Sequence, residues 1–404
     1  MSQPDLDRLW DVVIIGAGPA GAAAALSALR TRPDASVLLI DRSAFPRDKC
    51  CGDGIAPHAL DELARLGAAH VLADRVPITQ LHLQSPAGRE VTAPLRRPDY
   101  VVPRTVFDAR LVDAAVQRGA VLVRRTVRTL VQRADHVLVD GALRARVVVG
   151  ADGANGVVRR EIGLGRQPDT AMAIAVRGYA RTPAGPPEQR IVMDSRDWPA
   201  YAWRFDAGDG TSNVGFGLLM PSLRKAPRSG RAELHGRLEE LLPGLEPTRL
   251  ISHKLPLSTS RPVQPAGRVL LVGDALSLVN PLTGEGIFYA LLSGRLAGVA
   301  AVGRATGPLS VVGIGRSASA AEDPGRAYAA ALGRELGRHL RHTTALTRLT
   351  QRPALVNAGV AGCGRSPAAF DALIEVGLGR GLITAPLVGA IAGHLGRRLL
   401  RRAA

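Results

Sequence analysis

Apolar positions along this chain fall into three regimes. The first opens with a continuous run, Val12-Val13-Ile14-Ile15, behind the single acid Asp11. A short apolar run without alternation predicts a strand buried on both faces, as in a parallel sheet. Gly16, Gly18 and Gly21 follow it, and an alanine-rich helix is expected to about Arg30. Residues 36–40 repeat the continuous pattern and end at Asp41. Together these make a strand, a glycine turn, a helix and a second strand. Helical spacing recurs at 57–66 and at 104–118, where positions 106, 107, 111, 112, 115 and 116 are apolar. Short strands are expected at 120–124, 127–131 and 136–139. Another ends at Val147-Val148-Val149, directly before Gly150-Ala151-Asp152-Gly153.

The second regime alternates. Residues 79–85 and most of 170–256 switch between apolar and polar, with turns such as Asp209-Gly210, which predicts a separate antiparallel sheet. A buried strand at 269–272 then returns the chain to the first sheet. The third regime is helical, with patterns near 326–349, 367–378 and 385–402. Between the last two regimes, 306–325 is rich in Gly, Ser and Ala and carries Pro308 and Pro324, so it reads as a linker. No internal repeat is visible.

Composition narrows the class. The chain has 404 residues, 46% of them apolar, enough for a large core and too many for wholesale disorder. The net charge is +17, but only Lys49, Lys225 and Lys254 are lysines and the remaining basic residues are arginines. That bias reads first as a solvated arginine surface, with an anionic lipid or phosphorylated substrate as the functional alternative. Aromatics are 3% and no zinc-finger spacing occurs, which argues against nucleic acid. Cys50, Cys51 and Cys363 are too few for a disulfide framework. No secretory signal and no membrane-spanning apolar run is present, so a cytoplasmic protein, or one at a membrane surface, is expected.

Three constellations carry chemistry. Gly16 permits a tight turn, Gly18 lets backbone approach a pyrophosphate, and Gly21 lets helix and strand pack closely. Asp41, 20 residues beyond Gly21, stands where a carboxylate accepts from ribose hydroxyls. The second constellation is Gly273-Asp274, followed by Asn280-Pro281-Leu282-Thr283-Gly284-Glu285-Gly286-Ile287. There a strand delivers Asp274 to a sheet edge, and a bare helix N-terminus starting around 284–287 suits negative charge. The third is Tyr201, Trp203 and Phe205, at alternate positions of one strand and therefore on one face. That face either lines a channel for a long apolar substrate or is sheet core. His339 and His342 share a helical face, but no third ligand stands out, so they read as a solvated face and no metal is expected.

The order Gly16–Gly21, Asp41, Arg104, Asp152-Gly153 and Gly273-Asp274 resembles FAD-dependent oxidoreductases of the p-hydroxybenzoate hydroxylase fold, over roughly residues 8–300. The resemblance implies FAD bound by Gly16, Ala17, Gly18, Gly21, Asp41, Cys51, Gly52, Asp274, Pro281, Gly284, Gly286 and Ile287. It further implies Arg104 at the flavin or pyrophosphate, the Val127 backbone against adenine, and Asp152 at a second FAD or nicotinamide contact. Lys49-Cys50-Cys51-Gly52-Asp53-Gly54 resembles the Cys-Gly-x-Gly segment of the geranylgeranyl reductase family. The run 198–205 resembles its Tyr-x-Trp-x-Phe-Pro substrate motif, with Tyr201, Trp203 and Phe205 in the aromatic positions. Asp206 departs from that motif's proline, and Asn155 or Gly156 stands where a serine is common.

These readings imply an α/β fold. A Rossmann-like FAD-binding domain (1–75, 99–165 and 265–305) carries an inserted antiparallel substrate domain (76–98 and 166–264). The 306–325 linker and a helical region at 326–404 follow. The implied function is reduction of prenyl carbon–carbon double bonds on a lipophilic isoprenoid, with NAD(P)H as the expected electron donor and a ferredoxin or another reductase as the alternative. Cys51 and Tyr201 are the candidate catalytic residues, Cys51 as proton donor or flavin neighbour, or else simply a small buried residue. Oxygenation or epoxidation of a prenylated metabolite, and a non-enzymatic prenyl carrier, are the alternatives. The 382–395 stretch with its flanking arginines reads either as a helix covering the substrate domain or as interfacial membrane contact.

Overall fold

The continuous apolar runs become the centre of a mixed sheet in the computed structural model, which describes residues 6–226, 230–303 and 323–403. Its order is Val121–Arg124, Val37–Asp41, Leu9–Ile15, Leu143–Gly150, Val137–Val139 and Leu130–Gln132. Val269–Leu271 also pairs with Leu143–Gly150. The pairs around Leu9–Ile15 are parallel, and the last two strands form an antiparallel meander. Residues 127–129 were expected as strand but are not. The Arg128 and Thr129 N–H groups donate instead to the Asp140 carboxylate, at 2.8 and 3.0 Å.

The alternating regime forms an eight-stranded sheet. Its order is Thr248–Pro256, Met172–Arg181, Thr211–Leu219, Ala200–Asp206, Gln189–Met193, Pro77–Gln84, Glu90–Val101 and Gly54–Ile55. All neighbours are antiparallel except Gln189–Met193 with Pro77–Gln84. The strand Glu90–Val101 has no counterpart in the sequence reading, and it carries Pro94 and Pro98, a residue type that disfavours a paired strand. Its far side is paired only at Tyr100 and Val101, so neither proline interrupts a ladder there. The helix Gly230–Leu241 also went unread. It buries Leu234 and Leu238 on the Phe216 and Leu218 face of this sheet.

The helical region comprises Pro324–Thr350, Pro353–Cys363, Pro367–Leu378 and Ala385–Ala403. Of the expected linker, 306–322 lies outside the described residues, and Pro324-Gly325 begin the first of these helices under an Asp323 cap. Leu387 is buried with Phe370, Val360 and Cys363 against Leu81 and Leu83, so the last helices cover one face of the second sheet. No described helix is long and apolar enough to cross a membrane.

One contact joins the two ends of the first sheet's cover. The helix Ile287–Val302 lies directly on Pro19–Thr31, and both are built of small residues at the contact. A Cβ on Gly294 would stand 2.2 Å from the Ala20 carbonyl oxygen, and one on Gly298 2.4 Å from that of Ala24. Both obstructions are backbone, which cannot swing aside. Gly294→Ala is therefore expected to destabilise the protein by roughly 1–3 kcal/mol through overpacking. Gly333, mid-helix with open space at its Cβ position, is the control. There Gly→Ala is expected to stabilise by up to about 1 kcal/mol. Urea denaturation of the two variants reads both signs.

Candidate active site

The glycine turn and Asp41 form one unit. Gly16 has φ of +102°, a left-handed conformation that glycine adopts without strain, and its amide donates to the Ile40 carbonyl at 2.7 Å. Asp41 is buried and holds the turn's far side: its Oδ2 accepts from the Ala17 N–H and its Oδ1 from the Ser43 N–H, each at 2.9 Å. The helix Pro19–Thr31 begins with no side-chain cap and no acid in its first turn. The space beside Gly18 meets only the Arg47 guanidinium, 3.3 Å from where a Cβ would stand. An uncapped helix start with a cation at its mouth fits a pyrophosphate.

Arg104 is buried, and Asp108 binds it through two hydrogen bonds of 2.6 and 2.8 Å, with Arg47 3.1 Å from the same carboxylate. Asp274 pairs with Lys49 Nζ at 3.1 Å. Burial acts to raise its pKa, but Lys49 and His253 outweigh that, and the carboxyl stays below its ordinary value. His253 Nε2 is buried without a partner, and burial with Lys49 nearby pushes this imidazole down to about 4. Asp152 accepts from the Val158 N–H at 2.9 Å, while its Oδ1 is buried and unpartnered; burial raises it to about 6. Val127 lies in the core beneath this sheet.

The helix after the second glycine turn starts at Ile287, and its N-terminus is not bare as expected. Glu285 Oε1 accepts from the Phe288 N–H at 2.7 Å. Burial raises this carboxyl to about 7. Asp99, buried and with Oδ1 unpartnered, is raised to about 8 by burial and by the Glu285 charge.

The aromatic trio and the two motif-bearing loops meet. Tyr201, Trp203 and Phe205 do share a face, with ring centroids 6.1 and 6.4 Å apart in sequence order. Trp203 stands opposite Gly215, and Tyr201 opposite Gly217. A Cβ on Gly215 would lie 2.2 Å from the indole, so these glycines clear the space it occupies. Gly52 faces the Phe205 ring at 3.2 Å and Trp203 Nε1 at 3.5 Å, measured from its Cβ position. From the other side, the Tyr201 hydroxyl donates to the Thr283 carbonyl. Gly284, at φ +71°, brings its Cβ position within 3.1 Å of that hydroxyl. Burial pushes the Tyr201 pKa up, with Glu285 and Cys51 adding to the shift. Cys51 is likewise raised by burial, while Cys50, raised to about 12, reaches the Ala175 carbonyl at 3.7 Å.

A family model described as FAD binding domain matches residues 10–190. A menaquinone reductase of Mycolicibacterium smegmatis is 37% identical over 311 residues, which is 71% of this chain and 75% of that one. A digeranylgeranylglycerophospholipid reductase of Methanopyrus kandleri is 34% identical over 310 residues, 72% of this chain and 80% of that one. The chain belongs to the geranylgeranyl reductase family of FAD-dependent oxidoreductases. A crystal structure of a geranylgeranyl bacteriochlorophyll reductase-like protein from Thermoplasma acidophilum shares the fold. Its TM-score is 0.71, at 19% identity, covering 96% of this chain and 97% of that one.

As a geranylgeranyl reductase family member the chain is an FAD-dependent oxidoreductase, and the carrier alternative falls away. Its Asp206 is a structural residue. Oδ1 accepts from the Ser212 hydroxyl at 2.7 Å and Oδ2 from the Glu188 N–H at 3.0 Å. His339, read as solvated, is buried. Its Nε2 lies 2.8 Å from the Tyr289 hydroxyl and its Nδ1 2.7 Å from the Gly381 carbonyl. Helix Pro367–Leu378 and the residues after it cover that side, which the helical period alone does not reveal. His342 accepts from the Ile383 N–H at 3.2 Å. Among the described residues, no group of three metal-binding side chains forms.

Missed entirely was a buried polar group around Asp53. Asn213 Nδ2 donates to Asp53 Oδ2 and to the Cys51 carbonyl, both at 2.8 Å, and the Tyr179 hydroxyl donates to Asp53 at 2.5 Å. The sequence did hold a signal: Asn213, Gly215 and Gly217 alternate, leaving one strand face nearly without side chains.

Glu285 provides a pH test. Its folded pKa lies above the ordinary 4.5, so the stability it contributes is complete below that value and is lost as pH rises through about 7. Glu285→Gln keeps an acceptor for Phe288 and does not titrate. Its stability relative to the parent is expected to rise between those pH values, by up to about 3 kcal/mol. Denaturant midpoints at a series of pH values check this.

Proposed function

We propose that this protein is an FAD-dependent reductase of carbon–carbon double bonds in a lipophilic, isoprenoid-type substrate. The observation that carries the reading is the meeting of the 51–54 loop, the Tyr201–Trp203–Phe205 face and the 280–286 turn at one place. The names of the two curated relatives support the substrate class. In this reading Gly16, Ala17, Gly18, Gly21, Asp41, Arg104, Val127 and Asp152 hold the FAD from the first sheet. Gly52, Asp274, Pro281, Gly284, Gly286 and Ile287 hold it from the two loops. When bound and reduced, FAD supplies the hydride equivalent.

Reduction of an alkene adds one hydride and one proton. Cys51 is the proposed source of the proton. Its burial keeps the thiol protonated until an adjacent carbon gains negative charge. The Tyr201 hydroxyl proton is committed to the Thr283 carbonyl, so Tyr201 instead ties the turn to the aromatic strand. Trp203 and Phe205 form an apolar wall, where each buried methylene contributes about 0.8 kcal/mol of binding. NAD(P)H is the proposed reductant. Asp206 is engaged in hydrogen bonds within the second sheet, so its departure from the family motif gives no separate support to oxygenation.

The deciding experiment is product mass spectrometry with a panel of prenyl substrates, run anaerobically with chemically reduced enzyme and in parallel under labelled dioxygen. A gain of two hydrogens per double bond, without oxygen, is expected. Label in the product, formed only aerobically, would replace reduction by oxygenation. Cys51→Ala is expected to lower kcat by about a hundredfold or more with little change in KM. Cys51→Ser is expected to recover part of that loss, as steady-state kinetics on the accepted substrate will show.

A further inference from the structure

The face bearing the aromatic trio is organised in rows across four strands. Tyr179, Asn213, Phe205 and Gln189 form one row, Arg177, Gly215, Trp203 and Ile191 the next, and Ala175, Gly217, Tyr201 and Met193 the third. Asn213 is the only residue of the strand Thr211–Leu219 that places a polar side chain on this face between Gly215 and the turn-side Thr211. It is fully buried. Every polar atom of its carboxamide is committed. Oδ1 accepts from Trp203 Nε1 at 2.8 Å, and Nδ2 donates to the Cys51 carbonyl and to Asp53 Oδ2, also at 2.8 Å.

That set of partners fixes the orientation of the amide. Two acceptors stand on the nitrogen side and one donor on the oxygen side, so a flipped carboxamide would oppose all three. Asp53, itself fully buried and at φ +61°, is anchored independently by the Tyr179 hydroxyl at 2.5 Å. Arg177 lies in the next row, binding Asp48 at 2.5 Å and the Lys49 carbonyl at 2.9 Å. The whole 48–53 segment is thus held to the second sheet by side chains of two neighbouring strands. From the first sheet's side, the Asp274 side chain holds the same segment at Lys49, at 3.1 Å, and makes no contact that orients Cys51 itself.

We infer that Asn213 is the positioning residue of the active site, fixing the Cys51 loop and the Trp203 indole against each other through one oriented carboxamide. It acts through Cys51 and Trp203 and needs no contact with substrate. The inference deepens the proposed function, since it rests on Cys51 and Trp203 facing the substrate. Without the clamp, the Cys51 carbonyl and the Trp203 N–H are left buried and unpaired, and the thiol no longer has a defined position relative to the aromatic wall.

The test reads the position of Cys51 directly, by its rate of alkylation with iodoacetamide in FAD-loaded protein. Cys50 and Cys363 are replaced by alanine in every sample, so that Cys51 is the one thiol. Asn213→Asp preserves shape but replaces the donor with an acceptor, facing the Cys51 carbonyl and Asp53. The other charged or titratable groups around the pair are Tyr179, Arg177 with Asp48, Arg104 and the Cys51 thiol. At low pH both carboxyls are protonated, so the introduced carboxyl donates to the Cys51 carbonyl and accepts from Asp53, and both bonds are lost as the pair ionises at high pH.

Alkylation of Asn213→Asp, taken as a ratio to the parent at each pH, is expected near one at about pH 5 and about tenfold at about pH 9. Its low-pH behaviour also serves as the folding control. Asn213→Ala is expected to alkylate faster than the parent throughout. A pH-independent Asn213→Asp ratio, at any level, overturns the inference, because the residue would then act through volume or general stability. Alkylation does not depend on which substrate is reduced, so that outcome leaves the reductase reading to its own product analysis.

Discussion

Trp203 occupies space that a neighbouring strand leaves empty. Gly215 and Gly217 have no side chains to contest it, and the indole lies where a Cβ on Gly215 would stand 2.2 Å away. This single exclusion organises the site. It lets a large aromatic lie close to the sheet, gives its N–H a buried acceptor in Asn213, and leaves Gly52 facing the rings. The opposite face of the same strand keeps Phe216 and Leu218 for the helix behind it. One strand thus anchors a core on one side and a candidate substrate wall on the other.

The site is assembled from segments far apart in the chain, and buried or partly buried polar contacts hold them in place. Lys49 joins the first loop to Asp274, and Tyr201 joins the aromatic strand to Thr283. Behind the turn, Asn280 donates to the Tyr289 hydroxyl and the Val376 carbonyl, each at 3.0 Å, and Thr283 donates to the Gly377 carbonyl at 2.6 Å. The C-terminal helices therefore brace the second glycine turn as well as covering the sheet. Each such group is costly to leave unpaired once buried, which favours one arrangement over its neighbours.

Local features were legible in the sequence because their physics is local. The Gly16–Gly21 turn, the Asp41 carboxylate and the buried strands depend on residues within one βαβ unit, and they stand where the spacing placed them. The alternation of Tyr201, Trp203 and Phe205 likewise determines a shared face. What the sequence did not reveal depends on register between strands or on cover by distant helices. Asn213 is an ordinary polar residue until its row is known. His339 belongs to an amphipathic pattern until the residues around Gly379 and Gly381 bury it. Glu285 is a turn residue until it reaches forward to Phe288 and removes the bare helix start that the glycine pattern implied.

In the proposed function, one site brings reduced FAD and an isoprenoid double bond together. The most direct measurement is anaerobic stopped-flow mixing of the reduced holoenzyme with a polyprenyl substrate and, separately, with its fully saturated counterpart. Reoxidation of the flavin by the unsaturated chain alone, with no oxygen present, is the predicted result. A flavin that stays reduced with every alkene and reoxidises only when dioxygen is admitted would contradict it.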